Sequence, residues 1–413
     1  MRKNHTIIEM TERWEQPDNE HFAPGVVVRV QNGLGTLREV YGNIGYQYYY
    51  TLMLGNQPLF QLQGEDCFCP TCEKILKSGY GLEQPLEFRT DKLNQSKEDV
   101  TFDEAVAEIA PIMGLLPSGY YAVIDTSLYP TDGNGHLFWD IPNENQFLPG
   151  TCLYYYGDGE WGNLRPYFTV ATQPKEKYSK ERMEYYRKHQ KGRVLAYYMD
   201  GYMTALLDGH HKALAAAMEH QKVNALVIMP GSLYHIRDEK GKLKEYLRFG
   251  DISIPYKRKL SATHEIAISE KVSATQMTMI AGKIRSYTSK DYFDVNTKAL
   301  ASYYPTVAEV ADIDRAGTIT EDLLDRLLRQ EVIYTEKEAC ILMSALSGLR
   351  HERFFEMGKF FVSQPYSGTA LYTILEIMKK LPRDEELEQF FIEKMVEFED
   401  DYPEIGKMIL KYL

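Results

Sequence analysis

The 413-residue chain is poor in cysteine: five residues, too few and odd in number, cannot build a disulfide framework. No apolar run is long enough to cross a bilayer. The first residues, Met1-Arg2-Lys3-Asn4-His5, lead into a polar stretch without the apolar segment of a secretory signal. These absences give the expectation of a cytoplasmic protein with reduced thiols and no membrane association. Positive charge is also short. Lys+Arg number 47 against 59 Asp+Glu, a net −12, which argues against a general nucleic-acid binder. No Gly-x-Ser-x-Gly elbow, Walker loop or His-Glu-x-x-His helix occurs, so the common motif routes to serine hydrolases, P-loop NTPases and zinc peptidases are absent.

What is present is ordinary globular material, 44% hydrophobic and 26% charged. The length exceeds one compact core and predicts two or three domains of α+β class. Residues 1–150 read as β-rich, with strand patterns at Gly25–Val30, Gly45–Leu52 and Leu59–Gln63. A helix is expected over Phe102–Met113 and a strand over Gly119–Asp125. Loop-forming residues crowd 129–162 and place a boundary near residue 150. Residues 151–305 form a central α/β domain: a strand at Tyr167–Ala171, a helix after Ser179, a hairpin over Val194–Leu207 and a strand at Ala225–Met229. Residues 306–413 read as successive short amphipathic helices without a strict repeat, solenoid-like, net −7 from Thr318 onward (12 Lys+Arg, 19 Asp+Glu). Such a helical region serves either as a partner-binding scaffold or as a plain bundle.

The most informative stretch is Asp208-Gly209-His210-His211-Lys212-Ala213-Leu214-Ala215. It follows an apolar strand pattern and opens an Ala-rich helix. A helix start carries free N–H groups and partial positive charge, and glycine lets a ligand approach the backbone. Two imidazoles and an ammonium in the first turn then predict an anion site, most often used for phosphate. The plainer reading is a strand–helix corner with polar caps. Charge supports the first: Arg165–Leu260 holds 19 Lys+Arg and 10 Asp+Glu, a net +9, which leaves −21 for the remainder. Asp208 is a candidate to orient a histidine or hold a metal ion.

Cys69-Pro70-Thr71-Cys72 has the form of a zinc knuckle, with Cys67 as a third thiol. Cys152, His136, an acidic side chain or water would complete a tetrahedral set. A redox-active thiol pair and buried thiols without special role are the alternatives. Tyr48-Tyr49-Tyr50 and Tyr154-Tyr155-Tyr156 suggest base stacking, but strand alternation favours a mix of core and surface rings.

Arg193–Met229 resembles the ParB/sulfiredoxin-like domain, with its hairpin, glycine turn and Ala-rich helix. Asp208-Gly209-His210-His211-Lys212-Ala213 is similar to the Asp-Gly-His-x-Arg-Ala turn of its ParB-like nuclease and free serine kinase branches. Lys212 stands where the family usually has Arg, and keeps the charge without the planar fork. His210 stands where sulfiredoxins carry their cysteine, which excludes their chemistry. The resemblance spans about residues 167–232. It implies a nucleotide (ATP, ADP or CTP, with Mg²⁺) or another small phosphate ligand held at Gly209, His210, His211 and Lys212. It implies phosphoryl transfer or phosphodiester hydrolysis, with Asp208, His210 and Glu176 as acid–base candidates. Glu176 is the nearest match to a loop Glu that acts on the substrate hydroxyl in the kinase branch. The helix-turn-helix of partitioning ParB proteins is not evident. The competing expectation is a non-enzymatic interaction protein with a helical partner-binding domain and a structural zinc site.

Overall fold

The computed structural model describes residues 6–14, 23–65, 75–77, 91–96, 99–139, 165–173, 177–189, 192–237, 240–255, 269–283, 295–398 and 401–413. Cys67, Cys69, Cys72, Cys152 and Glu176 lie outside the described residues. The chain divides into two compact units, residues 1–304 and 305–413. Both helices and strands are present, in the α+β arrangement expected, with helices at the C-terminal end.

In the first unit the strands are β1 (Ile7–Trp14), β2 (Gly25–Gln31), β3 (Leu37–Ile44), β4 (Gln47–Leu54), β5 (Gln57–Glu65), β6 (Ile75–Lys77), β7 (Gly119–Leu128), β8 (Phe168–Ala171), β9 (Val194–Asp200), β10 (Met203–Asp208), β11 (Val223–Pro230), β12 (Ser232–Arg237), β13 (Leu243–Phe249), β14 (Ile252–Pro255) and β15 (Glu270–Lys271). Its helices are α1 (Phe102–Glu108), α2 (Ala110–Met113), α3 (Lys180–Lys188), α4 (His210–Met218), α5 (Ala274–Ala281) and α6 (Thr297–Ala301). The expected helix over 102–113 is two helices, with Pro111 in the first turn of the second, where a missing N–H costs least.

A seven-stranded sheet runs β1-β2-β7-β11-β9-β10-β8. Strands from before and after residue 150 therefore share one sheet. The hairpin β9–β10 leads through α4 to β11, which pairs parallel with β9. β11 is apolar along its length because it is buried on both faces, as Leu226, Val227 and Ile228 are. A five-stranded sheet, β15-β3-β4-β5-β6, carries α5 on one face, where Met277 packs with Val40, Tyr49 and Met53. On β4 the tyrosines alternate: Tyr49 is buried, while Tyr48 and Tyr50 stand with Tyr41 at ring separations of 5.7–6.0 Å. β12, β13 and β14 form a third, antiparallel sheet.

The second unit contains α7 (Val307–Ala316), α8 (Glu321–Leu328), α9 (Glu336–Gly348), α10 (Phe354–Val362), α11 (Gly368–Met378), α12 (Glu385–Glu397) and α13 (Pro403–Tyr412). Thr306, Thr320, Thr335, Ser367 and Asp384 each cap a helix by accepting a first-turn N–H. One continuous core runs through Leu324, Leu342, Phe361, Ile374, Phe391 and Ile409. Its helices bury one stripe each, as the amphipathic pattern predicts.

Candidate functional site

The Gly209 corner forms as its sequence suggests. β10 ends at Asp208, Gly209 takes φ +94°, and α4 begins at His210. A Cβ on Gly209 would sit 2.6 Å from Cγ1 of Val194, so both conformation and space call for glycine.

The side chains after the glycine turn inward. His210 is 2% exposed, His211 and Lys212 6%. His210 Nε2 accepts the backbone N–H groups of Thr172 (3.1 Å) and Gln173 (3.2 Å). Trp139 stacks on its ring with centroids 5.8 Å apart. His211 Nε2 accepts the N–H of Ser179 at 3.0 Å and meets Trp139 edge-on. Burial pushes the His210 pKa down to about 3, and burial with the nearby Arg182 charge pushes His211 down to about 4. Both rings are neutral and accept at Nε2, so neither brings the positive charge expected of an anion site. Lys212 Nζ donates to the carbonyls of Arg193 (2.6 Å) and Leu93 (3.1 Å). Burial lowers its pKa to about 8. The three side chains thus fasten four segments, around residues 93, 172, 179 and 193, to the first turn of α4.

His136 belongs to a neighbouring turn: its Nδ1 lies 2.7 Å from Asp132 Oδ2. That turn leads to Phe138 and Trp139, which cover the imidazoles. Among the described residues no group of three or more His, Cys, Asp or Glu is placed to hold a metal ion. A cavity of about 60 Å³ lies beside α4, lined by Lys212, Lys222, Tyr186, His189 and Asn224. Lys212 reaches it; His210 and His211 do not line it.

A larger opening, about 170 Å³, lies elsewhere in the first unit. Met199 and Asp200 close β9 there, and Pro230 and Gly231 close β11. These are the carboxyl ends of two parallel strands, the edge where α/β sheets commonly receive ligands. Glu39 from β3 enters the opening although it is only 7% exposed. Ser269 Oγ donates to Glu39 Oε2 at 2.8 Å, and Tyr50 Oη lies 3.0 Å from Ser269 Oγ. With the serine proton given to the carboxylate, the tyrosine donates to the serine, and a relay Tyr50–Ser269–Glu39 results. Glu39 Oε1 has no hydrogen-bond partner among the described residues. Burial raises the Glu39 pKa to about 7, against the pull of the Ser269 and Tyr197 hydroxyls and with a push from Asp200. Burial also raises Tyr50 and, well above its usual value, Tyr197.

Sequence reasoning passed over Glu39. One signal existed: on β3 it lies two residues from the buried Leu37, on the same side of the strand. Its partners Ser269 and Tyr197 are far away in the chain.

No family model, curated protein or solved structure matches the chain.

Proposed function

We propose that this is a small-molecule-binding protein built around a ParB/sulfiredoxin-like core, with its ligand in the Glu39 cavity. The hairpin β9–β10, the left-handed Gly209, α4 and the parallel pairing of β11 with β9 support the family reading. The observation that carries the ligand reading is the unpartnered Oε1 of a buried carboxyl facing an open volume. A buried polar atom left without a partner costs about 1–3 kcal/mol, a cost that a donor on a ligand removes. Screening a library of small polar fragments by NMR should shift amide signals around Glu39, Tyr197 and Gly231. Hits that cluster elsewhere, or none, would remove the reading.

A phosphate group held by Lys212 and Lys222 is a second reading, favoured by the two lysines lining one cavity. The 60 Å³ volume suits a phosphate-sized group and not a whole nucleotide. Inorganic phosphate should raise thermal stability, by about 2.7 kcal/mol at a hundredfold excess over Kd, and ATP, ADP or CTP with Mg²⁺ should do so only through a terminal phosphate that reaches the two lysines. Lys222→Ala should abolish the shift. Absence of any shift decides against it.

A further inference from the structure

We infer that the Glu39 cavity selects an organic ammonium compound, a small amine carrying its positive charge to Glu39. This rests on the reading of that cavity as the ligand site and names the ligand's class.

Two carboxylates, Glu39 and Asp200, line the same cavity, and the charge of Asp200 acts on both Glu39 and Tyr50. A cation beside Glu39 gives its Oε1 a donor. The other walls are rich in tyrosine: Tyr50, Tyr121 and Tyr197. Aromatic rings attract ammonium groups through their negative faces and are the usual lining of sites for substituted amines. The Tyr121 hydroxyl is occupied, donating to the Pro117 carbonyl, so this residue offers its ring.

A bare metal ion fits less well. Divalent cations need six to eight oxygen ligands, or a near-ideal octahedron, and Glu39 and Asp200 are the carboxylates lining the cavity among the described residues. Among the described residues Arg248 is the guanidinium in the lining, and its Nε donates to the Gly250 carbonyl at 3.3 Å. Volume bounds the size. At about 170 Å³ the cavity is close to an engineered one of about 150 Å³ that admits benzene, so a single-ring amine fits.

The groups facing Glu39 are Ser269 and Tyr50 from the five-stranded sheet and its edge, and Tyr197, Asp200 and Tyr121 from the seven-stranded sheet. Arg248 comes from the third sheet. Of these, Glu39 is the group that changes charge near neutrality. An ammonium binds its carboxylate form, so affinity should rise with pH from 6 to 8 while the amine stays protonated.

The test compares benzylammonium with benzyl alcohol, similar in shape and uncharged, on the full chain and on Glu39→Gln, by calorimetry and NMR at pH 6 and 8. The expected result is at least a tenfold preference for benzylammonium at pH 8, a smaller one at pH 6, and none in Glu39→Gln. Folding of the variant is checked by its NMR spectrum, and the wild-type comparison stands without it. Equal binding of both probes to wild-type protein overturns the ammonium assignment and leaves the cavity as a ligand site. Binding of neither probe, while other fragments shift signals around Glu39, overturns it as well. If no fragment of any charge reaches the cavity, the underlying reading falls with it.

Discussion

The Nε2 atom of His210, the first residue of α4, accepts the backbone N–H of Thr172 at 3.1 Å. A histidine at a helix start thereby ties down the chain leaving β8, 38 residues earlier. It requires a neutral ring with its proton on Nδ1. What reads in sequence as a cationic anion-binding turn is held together by an uncharged imidazole.

His210→Ala removes the acceptor for two N–H groups, those of Thr172 and Gln173, and leaves a cavity under Trp139. Unfolding free energy in urea should fall by about 3 kcal/mol. A loss under about 1 kcal/mol would show that the two N–H groups find water or another partner.

Acid should destabilise the protein through the same pair. The folded pKa values of His210 and His211, about 3 and 4, lie below the ordinary 6.5. The unfolded chain therefore binds more protons below pH 6.5. The contribution is complete above pH 6.5 and is lost as pH falls toward 4, by about 1.4 kcal/mol per pH unit for each ring. Replacing both histidines with glutamine should flatten the stability profile between pH 4 and 6.5; an unchanged slope would refute the assignment.

Glu39 acts with the opposite sign. Its folded pKa, about 7, lies above the ordinary 4.5, so the folded state holds the extra proton. Its contribution is present below pH 4.5 and lost as pH rises through 7, about 3 kcal/mol in all at this order of magnitude. Glu39→Gln removes that loss. Between pH 4.5 and 6.5 the variant's stability should rise more steeply with pH than the wild type's, by about 1.4 kcal/mol per unit. Parallel profiles would mean that Glu39 titrates normally.

Arg193 and Asp125 form a buried two-bond pair, at 2.9 and 3.2 Å, with a further bond from Arg193 to the Val100 carbonyl. Removing one partner leaves an uncompensated buried charge. Asp125→Ala should cost about 3–5 kcal/mol. The double variant Asp125→Ala with Arg193→Met should cost clearly less than the two single losses added, because neither charge is then stranded. Simple additivity in denaturant titrations would contradict this coupling.

Gly209→Ala should destabilise by about 3 kcal/mol, the left-handed backbone and the contact with Val194 adding together. Gly241→Ala, also at positive φ but with open space around it, should cost about 1–2 kcal/mol. Equal effects at the two positions would mean that the Val194 side yields.

Much of the fold is legible locally. The alternation in β4, the apolar run of β11, the cap at Ser179 and the glycine corner all appear in sequence, because each rests on residues within one turn or one strand. β1 and the sheet formed by β12, β13 and β14 escaped because their burial patterns are mixed. α7 escaped as well, although Thr306 and Glu309 make a full capping box.

The site divides along the same line. The sequence alone specified a strand, a glycine corner and an Ala-rich helix between residues 203 and 220, since glycine's conformational freedom and periodicity are properties of the local chain. It did not specify where His210, His211 and Lys212 point. That follows from Trp139 lying over the rings and from carbonyls at residues 93 and 193 reaching the ammonium. Nor did it specify the Glu39 cavity, whose walls come from β3, β4, β7, β9, β11, β12, β13 and Ser269. A carboxyl acquires its pKa from desolvation and from the charges packed around it, and both exist only after the sheets have come together.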